Sequence, residues 1–190
     1  MAATPFVEHV TPEEAAERVS RCGFGEVTVD VRHTDWGEDD EVLVAKAATT
    51  ASDEQLQCAD RAASYYTLQL PPALQTRYDA IRLKRLSAQL LAQSRERLSA
   101  RELLDRVPPY ERGVTDDAAF THAVEQLCGP KANGAFGSKF GLHAISPDWV
   151  MRELKPPKHG SELLQCILDV SRVAGYEVHF IGNMAPGTGQ

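Results

Sequence analysis

Two hydrophobic rhythms alternate along the chain. Val27, Val29 and Val31 are separated by Thr28, Asp30 and Arg32, the two-residue period of a strand with one buried face. A second apolar run, Val42-Leu43-Val44-Ala45, follows the acidic stretch from His33 to Glu41. The two runs predict an antiparallel pair whose connection is too long for a tight turn. Tyr65 to Leu70 predicts a third strand and Tyr176 to Ile181 a fourth.

Helical signals surround these strands. Thr11-Pro12-Glu13-Glu14 supplies a Thr N-cap, a proline at the first helical position and a glutamate that closes a capping box, so a helix is predicted from there to Cys22, stopping at Gly23. Ser52-Asp53-Glu54-Gln55 starts another over residues 53–63. Pro71-Pro72 opens the longest helical segment, about residues 73–106, in which Leu74, Tyr78 and Ile81 give way to Leu83, Leu86 and Leu90 at three-and-four spacing. That spacing predicts one side in a core. Ser99-Ala100-Arg101-Glu102 is a further capping-box pattern, which divides the segment into two helices bending near Ser99.

Thr115-Asp116-Asp117 predicts a helix ending at Cys128, where Gly129-Pro130 stops it. Residues 129–146 read as loop with a short strand at Leu142 to Ile145. Ser146-Pro147-Asp148 caps a short helix through Leu154, Gly160-Ser161-Glu162 opens a final helix over Leu163 to Val173, and Met184 to Gln190 is a loose tail. The order of elements predicts an α+β fold: a small, mainly antiparallel sheet of about four strands covered by helices.

Composition adds bounds. A chain of 190 residues, 43% hydrophobic and 25% charged, suffices for one domain, or for one domain of two lobes divided near residues 107–115. No run approaches the roughly eighteen apolar residues of a membrane span. Residues 1–60 hold fourteen acidic against four basic side chains, whereas residues 61–112 hold five against ten. Such an asymmetry neutralises itself within a fold or steers a charged partner.

The four cysteines share two frames. Cys22-Gly23 is followed by Leu56-Gln57-Cys58, and Cys128-Gly129 by Leu164-Gln165-Cys166, in the same order and at nearly equal offsets. Around the second frame, Glu54-Gln55-Leu56-Gln57-Cys58 and Glu162-Leu163-Leu164-Gln165-Cys166 agree at four of five positions. A diverged internal duplication is compatible with this, although the first hairpin has no counterpart between Gly129 and Gly160. The layout suggests disulfides Cys22–Cys58 and Cys128–Cys166; four free, buried thiols are the competing reading. No Cys-x-x-Cys or Cys-x-x-His step supports zinc or thiol-redox chemistry, and no metal or cofactor is expected.

Candidate chemistry is sparse. Arg77, Arg82, Lys84 and Arg85 on the long helical segment could contact an anionic partner, or simply form a solvated face. The stretch Gly134 to Gly141 with Lys139 lacks the phosphate-loop spacing, and the acidic loop His33 to Glu41 lacks the ligand order of a calcium loop. Of the histidines, His9, His33, His122, His143, His159 and His179, none falls in a metal-protease motif, and no nucleophile elbow is present.

These observations lead to a soluble, non-catalytic binding or interaction module as the first expectation. Its partner is a protein or small molecule rather than nucleic acid. An enzyme, a hydrolase or transferase with a dispersed Cys/His/carboxylate site, is the second. A regulatory partner of an anionic macromolecule is the third. Oxidised cysteines would place the chain in a periplasmic or extracellular compartment with its leader removed, and reduced ones in the cytoplasm.

Overall fold

The computed structural model describes residues 10–33, 39–46, 50–137, 141–153 and 160–179. The chain forms two compact units, residues 1–87 and 88–190. Each has its own buried apolar cluster.

The first unit contains helix α1 (Pro12–Val19), strand β1 (Thr28–His33), strand β2 (Asp39–Val44), helix α2 (Asp53–Ala63), strand β3 (Thr67–Gln69) and the first part of helix α3 (Pro72–Ala100). Local chemistry starts the first two helices. Thr11 Oγ1 accepts the Glu14 N–H while Glu14 accepts the Thr11 N–H. Ser52 and Gln55 make the same reciprocal pair at α2. After α1 the backbone widens into a π-type turn, Ser20–Phe24, and breaks at Gly23, whose φ of +96° suits a residue without Cβ.

The described strands form one sheet of order β1-β2-β3. β1 and β2 are antiparallel, from Thr28 opposite Val44 to His33 opposite Asp39. β2 and β3 are parallel, with Val42 opposite Thr67 and Val44 opposite Gln69. The expectation of about four mainly antiparallel strands is therefore corrected to three in a mixed sheet among the described residues. The reason lies in α2. A helix connecting two neighbouring strands carries the chain back to the starting end, so the second strand runs parallel to the first. In place of the expected fourth strand, His179 makes a single parallel bridge to Ala144; residues 180 and 181 lie outside the described set.

Burial departs from simple alternation. Val42, Leu43 and Val44 of the central strand are all buried, while in β1 only Val29 packs against the core and Val31 is 57% exposed. β1 is a sheet edge that runs past the apolar cluster. The helical segment expected over residues 73–106 closes at Ala100, without a bend near Ser99 into a second α-helix. There the Leu103 N–H reaches the Leu98 carbonyl (2.9 Å) and the Glu102 N–H the Ser99 carbonyl (3.0 Å), with Glu102 at φ +56°. This is the paired-bond helix ending that usually places glycine where Glu102 stands.

The second unit contains the remainder of α3, α4 (Asp117–Cys128), α5 (Pro147–Glu153) and α6 (Gly160–Ala174). Trp149 is fully buried in its core and donates through Nε1 to the Lys131 carbonyl (2.9 Å). Residues 129–137, expected as loop, contain a 3-10 turn at Pro130–Ala132, and the segment is tied down: the buried Glu125 carboxylate accepts the Phe136 N–H (2.9 Å) and the Ala135 carbonyl accepts the Ser146 N–H (2.8 Å).

Each unit carries one disulfide. Cys22 pairs with Cys58 (Cα–Cα 5.7 Å) and Cys128 with Cys166 (Cα–Cα 5.9 Å). Among the described residues no helix is long and apolar enough to cross a membrane.

Candidate functional site

A concave cleft of about 550 Å³ opens in the second unit, beside the start of α4. Its lining comes from residues 110–118, 142–143 and 175–177. Asp116 caps α4 by accepting the Ala119 N–H (2.7 Å), which frees Asp117, one residue further on, for other contacts. The Tyr110 hydroxyl donates to Asp117 Oδ1 (3.0 Å). His143 Nε2 lies 3.2 Å from Asp117 Oδ2, and His143 Nδ1 lies 3.0 Å from the Glu177 carbonyl.

Aromatic packing holds this arrangement. The His143 ring stacks on Tyr176 with centroids 4.6 Å apart and planes 14° from parallel, and the Tyr176 hydroxyl donates to the Leu142 carbonyl (3.0 Å). Tyr110, Phe120 and Tyr176 form a three-ring cluster with centroids 4.8–4.9 Å apart. Burial, reinforced by the nearby Asp117 charge, pushes the Tyr176 phenol well above its ordinary range. Desolvation and the hydrogen bond to Asp117 push Tyr110 up as well. Both phenols therefore stay protonated near neutrality and act as donors.

Hydrogen-bond accounting limits what His143 does. A carboxylate and a carbonyl oxygen only accept, so both ring contacts are made together only when both ring nitrogens carry protons. In that state His143 has no lone pair with which to take a proton from a ligand. The cleft lining contains neither serine nor cysteine. All four cysteines are in disulfides, which removes the thiol that a Cys/His site would need. Arg112 and Glu177, at the cleft, make no salt bridge with any described residue.

The basic residues singled out in the sequence lie elsewhere, on α3 in the first unit. Arg77 donates to Asp53 and to the Ala51 carbonyl, and Arg82 to the Tyr66 carbonyl and the Tyr78 hydroxyl. Arg85 clasps the buried Asp60 carboxylate through two nitrogens. Lys84 is exposed. The fold thus uses three of these four cations internally.

The other sequence candidates disperse. His33 contacts Asp39 and His122 contacts Gln126, whereas His9 and His159 lie outside the described residues. Residues 34–38 of the acidic loop and 138–140 of the glycine-rich stretch, including Lys139, also lie outside them. Among the described residues, no group of three or more His, Cys, Asp or Glu side chains is placed to hold a metal ion. A second hollow of about 390 Å³ in the first unit is lined by Asp30, Arg32, Lys46, Gln69 and neighbouring residues, without histidine or aromatic side chains.

Sequence reasoning did not find Tyr110, Asp117 and His143 as a group. Their separations, seven residues for the first pair and 26 for the second, follow no local motif. In comparisons with known proteins, no family model, no curated protein and no solved structure matches the chain.

Proposed function

We propose that the chain is a non-catalytic binding module of an oxidising, exported compartment, and that the cleft beside α4 holds a small polar ligand. The observation that carries this reading is the cleft itself. Its volume of about 550 Å³ lies within the range of small-molecule sites, and it combines aromatic packing with converging polar groups. The absence of serine and cysteine from the cleft lining favours binding over nucleophilic catalysis there. The two disulfides support the compartment, since such bonds persist where the surroundings are oxidising.

The test is an NMR titration of the oxidised, 15N-labelled full chain with a panel of sugars, amino acids, dicarboxylates and polyamines. Saturable shifts confined to the amides of residues 110–118, 142–143 and 175–177 are expected from at least one compound, and their loss in Asp117→Ala. Absence of any saturable shift there overturns the reading. Alkylation of protein taken from its native compartment tests the location: four modified thiols without prior reduction overturn the export proposal.

A second reading is favoured by one contact, the His143–Asp117 pair, which resembles the paired groups of acid–base catalysis. It requires turnover of a bound compound that is lost in His143→Gln. A polyanion site at Arg77, Arg82, Lys84 and Arg85 has less support, because three of the four already have partners. Heparin added to the same titration would reveal it as salt-dependent shifts along α3.

A further inference from the structure

The contacts of His143 give the cleft a control element, and this step rests on the cleft being the binding site. Two acceptors converge on one ring: the Asp117 carboxylate on Nε2 and the Glu177 carbonyl on Nδ1. A doubly protonated ring donates to both. A neutral ring has one N–H and one lone pair, so one acceptor then faces a lone pair at about 3 Å and that tie is lost.

The two acceptors belong to different parts of the cleft wall. Asp117 begins α4, Glu177 follows α6, and all three residues line the cleft. We propose that His143 is a protonation-dependent strut of the cleft: with both ring protons it ties α4 to the segment after α6, and on losing one it gives up one of those two ties, while the backbone bonds from the His179 N–H to the His143 carbonyl (2.6 Å) and from the Ile145 N–H to the His179 carbonyl (3.1 Å) keep that segment beside His143 in either state. The same event removes a positive charge from a lining that includes Asp116, Asp117 and Glu177, so shape and electrostatic character change together.

The groups standing around the ring define the window. From the start of α4 come Asp117 and its cap Asp116, and from the segment before them Tyr110 and Arg112. From the segment after α6 come Tyr176, Glu177 and His179, whose ring centroid is 6.5 Å from that of His143. Carboxylates ordinarily titrate below this range, and arginine and tyrosine above it, so histidine is the residue type that changes charge between about pH 5 and 8.

The experiment follows amide signals and histidine Cε1–H signals of the oxidised full chain from about pH 5 to about pH 8. The amides of Asp117, Ala118, Glu177 and Val178 are expected to move as one transition together with the His143 ring. His143→Gln is expected to abolish that movement, and His179→Gln to leave it in place. Asp117→Asn supplies a side chain that accepts from the charged ring and donates to the neutral one. It is expected to suppress the amide response while the ring still titrates.

An unchanged response in His143→Gln, a response lost only in His179→Gln, or no transition in the parent chain overturns the strut. A ligand bound in the cleft with equal affinity at both ends of the range also overturns it, while leaving the binding reading intact. A cleft that titrates as described yet takes up no compound removes the binding reading and keeps the strut.

Discussion

Asp169 shows how a single buried charge is made tolerable. Its side chain is 2% exposed in α6, and it accepts hydrogen bonds from Ser94 Oγ (2.7 Å), from Arg97 Nε and Nη2 (2.8 and 2.6 Å) and from Gln165 Nε2 (2.9 Å). Burial by itself raises the carboxyl's pKa. The bonds from Arg97, Ser94 and Gln165 together outweigh that and hold it below its ordinary value. A carboxylate lowered on folding stabilises the protein above its unfolded value, about 3.9, and that contribution disappears as pH falls through the lowered folded value. Asp169→Asn is expected to lower stability at pH 7 by about 2 kcal/mol, discounted for the partly exposed Arg97. It is also expected to flatten the loss of stability below about pH 4. Urea unfolding at several pH values checks this; an acid slope identical to that of the parent chain contradicts it.

Gly23 makes a different residue-scale point. A Cβ there would lie 2.4 Å from Gln55 Nε2, the side chain that completes the α2 capping box, whereas Gly129, at φ +105°, has open space around it. The two Cys-Gly steps look alike in sequence, and both need positive φ. Only the first is also a close approach.

Among the elements, α3 departs furthest from its hydrophobic pattern. Leu74 and Tyr78 near its start and Leu98 near its end are buried, yet Leu83, Leu86 and Leu90 are 67%, 37% and 42% exposed. Three-and-four spacing shows which residues share a face, but it does not say whether anything covers that face. Replacing exposed leucines removes little packing. Leu83→Glu is expected to change stability by less than about 0.5 kcal/mol, whereas Leu98→Ala is expected to cost about 2–4 kcal/mol. Denaturant midpoints of the two variants decide it, and a large loss from Leu83→Glu would show that the face is packed. The capped starts of α1 and α2 were legible because each depends on partners three residues apart. The direction of β3 was legible in principle, from a helix lying between two strands, but alternation alone does not reveal it.

For the whole molecule, the shared feature of the two units is one disulfide apiece. Each joins the end of one helical run, at a Cys-Gly step, to the body of a later helix, across 36 residues in the first unit and 38 in the second. Cross-links of that span restrict the unfolded chain by about 3–4 kcal/mol on the chain-entropy account. Cys22→Ser/Cys58→Ser is therefore expected to weaken amide-exchange protection of Leu43, Leu56 and Leu68, and Cys128→Ser/Cys166→Ser that of Val124, Ile167 and Val170. Loss of protection in neither set would refute the assignment of the bridges to these cores. Both pairs were suggested by spacing, because pairing within each repeated frame is one of the three connectivities that four cysteines allow, and the structure selects it over four free thiols.

What the sequence determined by itself is local: the helix starts at Thr11, at Ser52 and within Thr115-Asp116-Asp117, the stops at Gly23 and Gly129, the strand-forming runs and the cysteine frames. Each depends on neighbours a few residues away, or on a repeated pattern visible in one dimension. Tertiary structure alone decided that Arg77, Arg82 and Arg85 find partners within the first unit, that Leu83, Leu86 and Leu90 are exposed, and that Asp117 meets His143 across 26 residues and His143 meets Glu177 across 34. Such contacts arise when packing brings distant segments together, and no periodicity records which acceptor a side chain will meet.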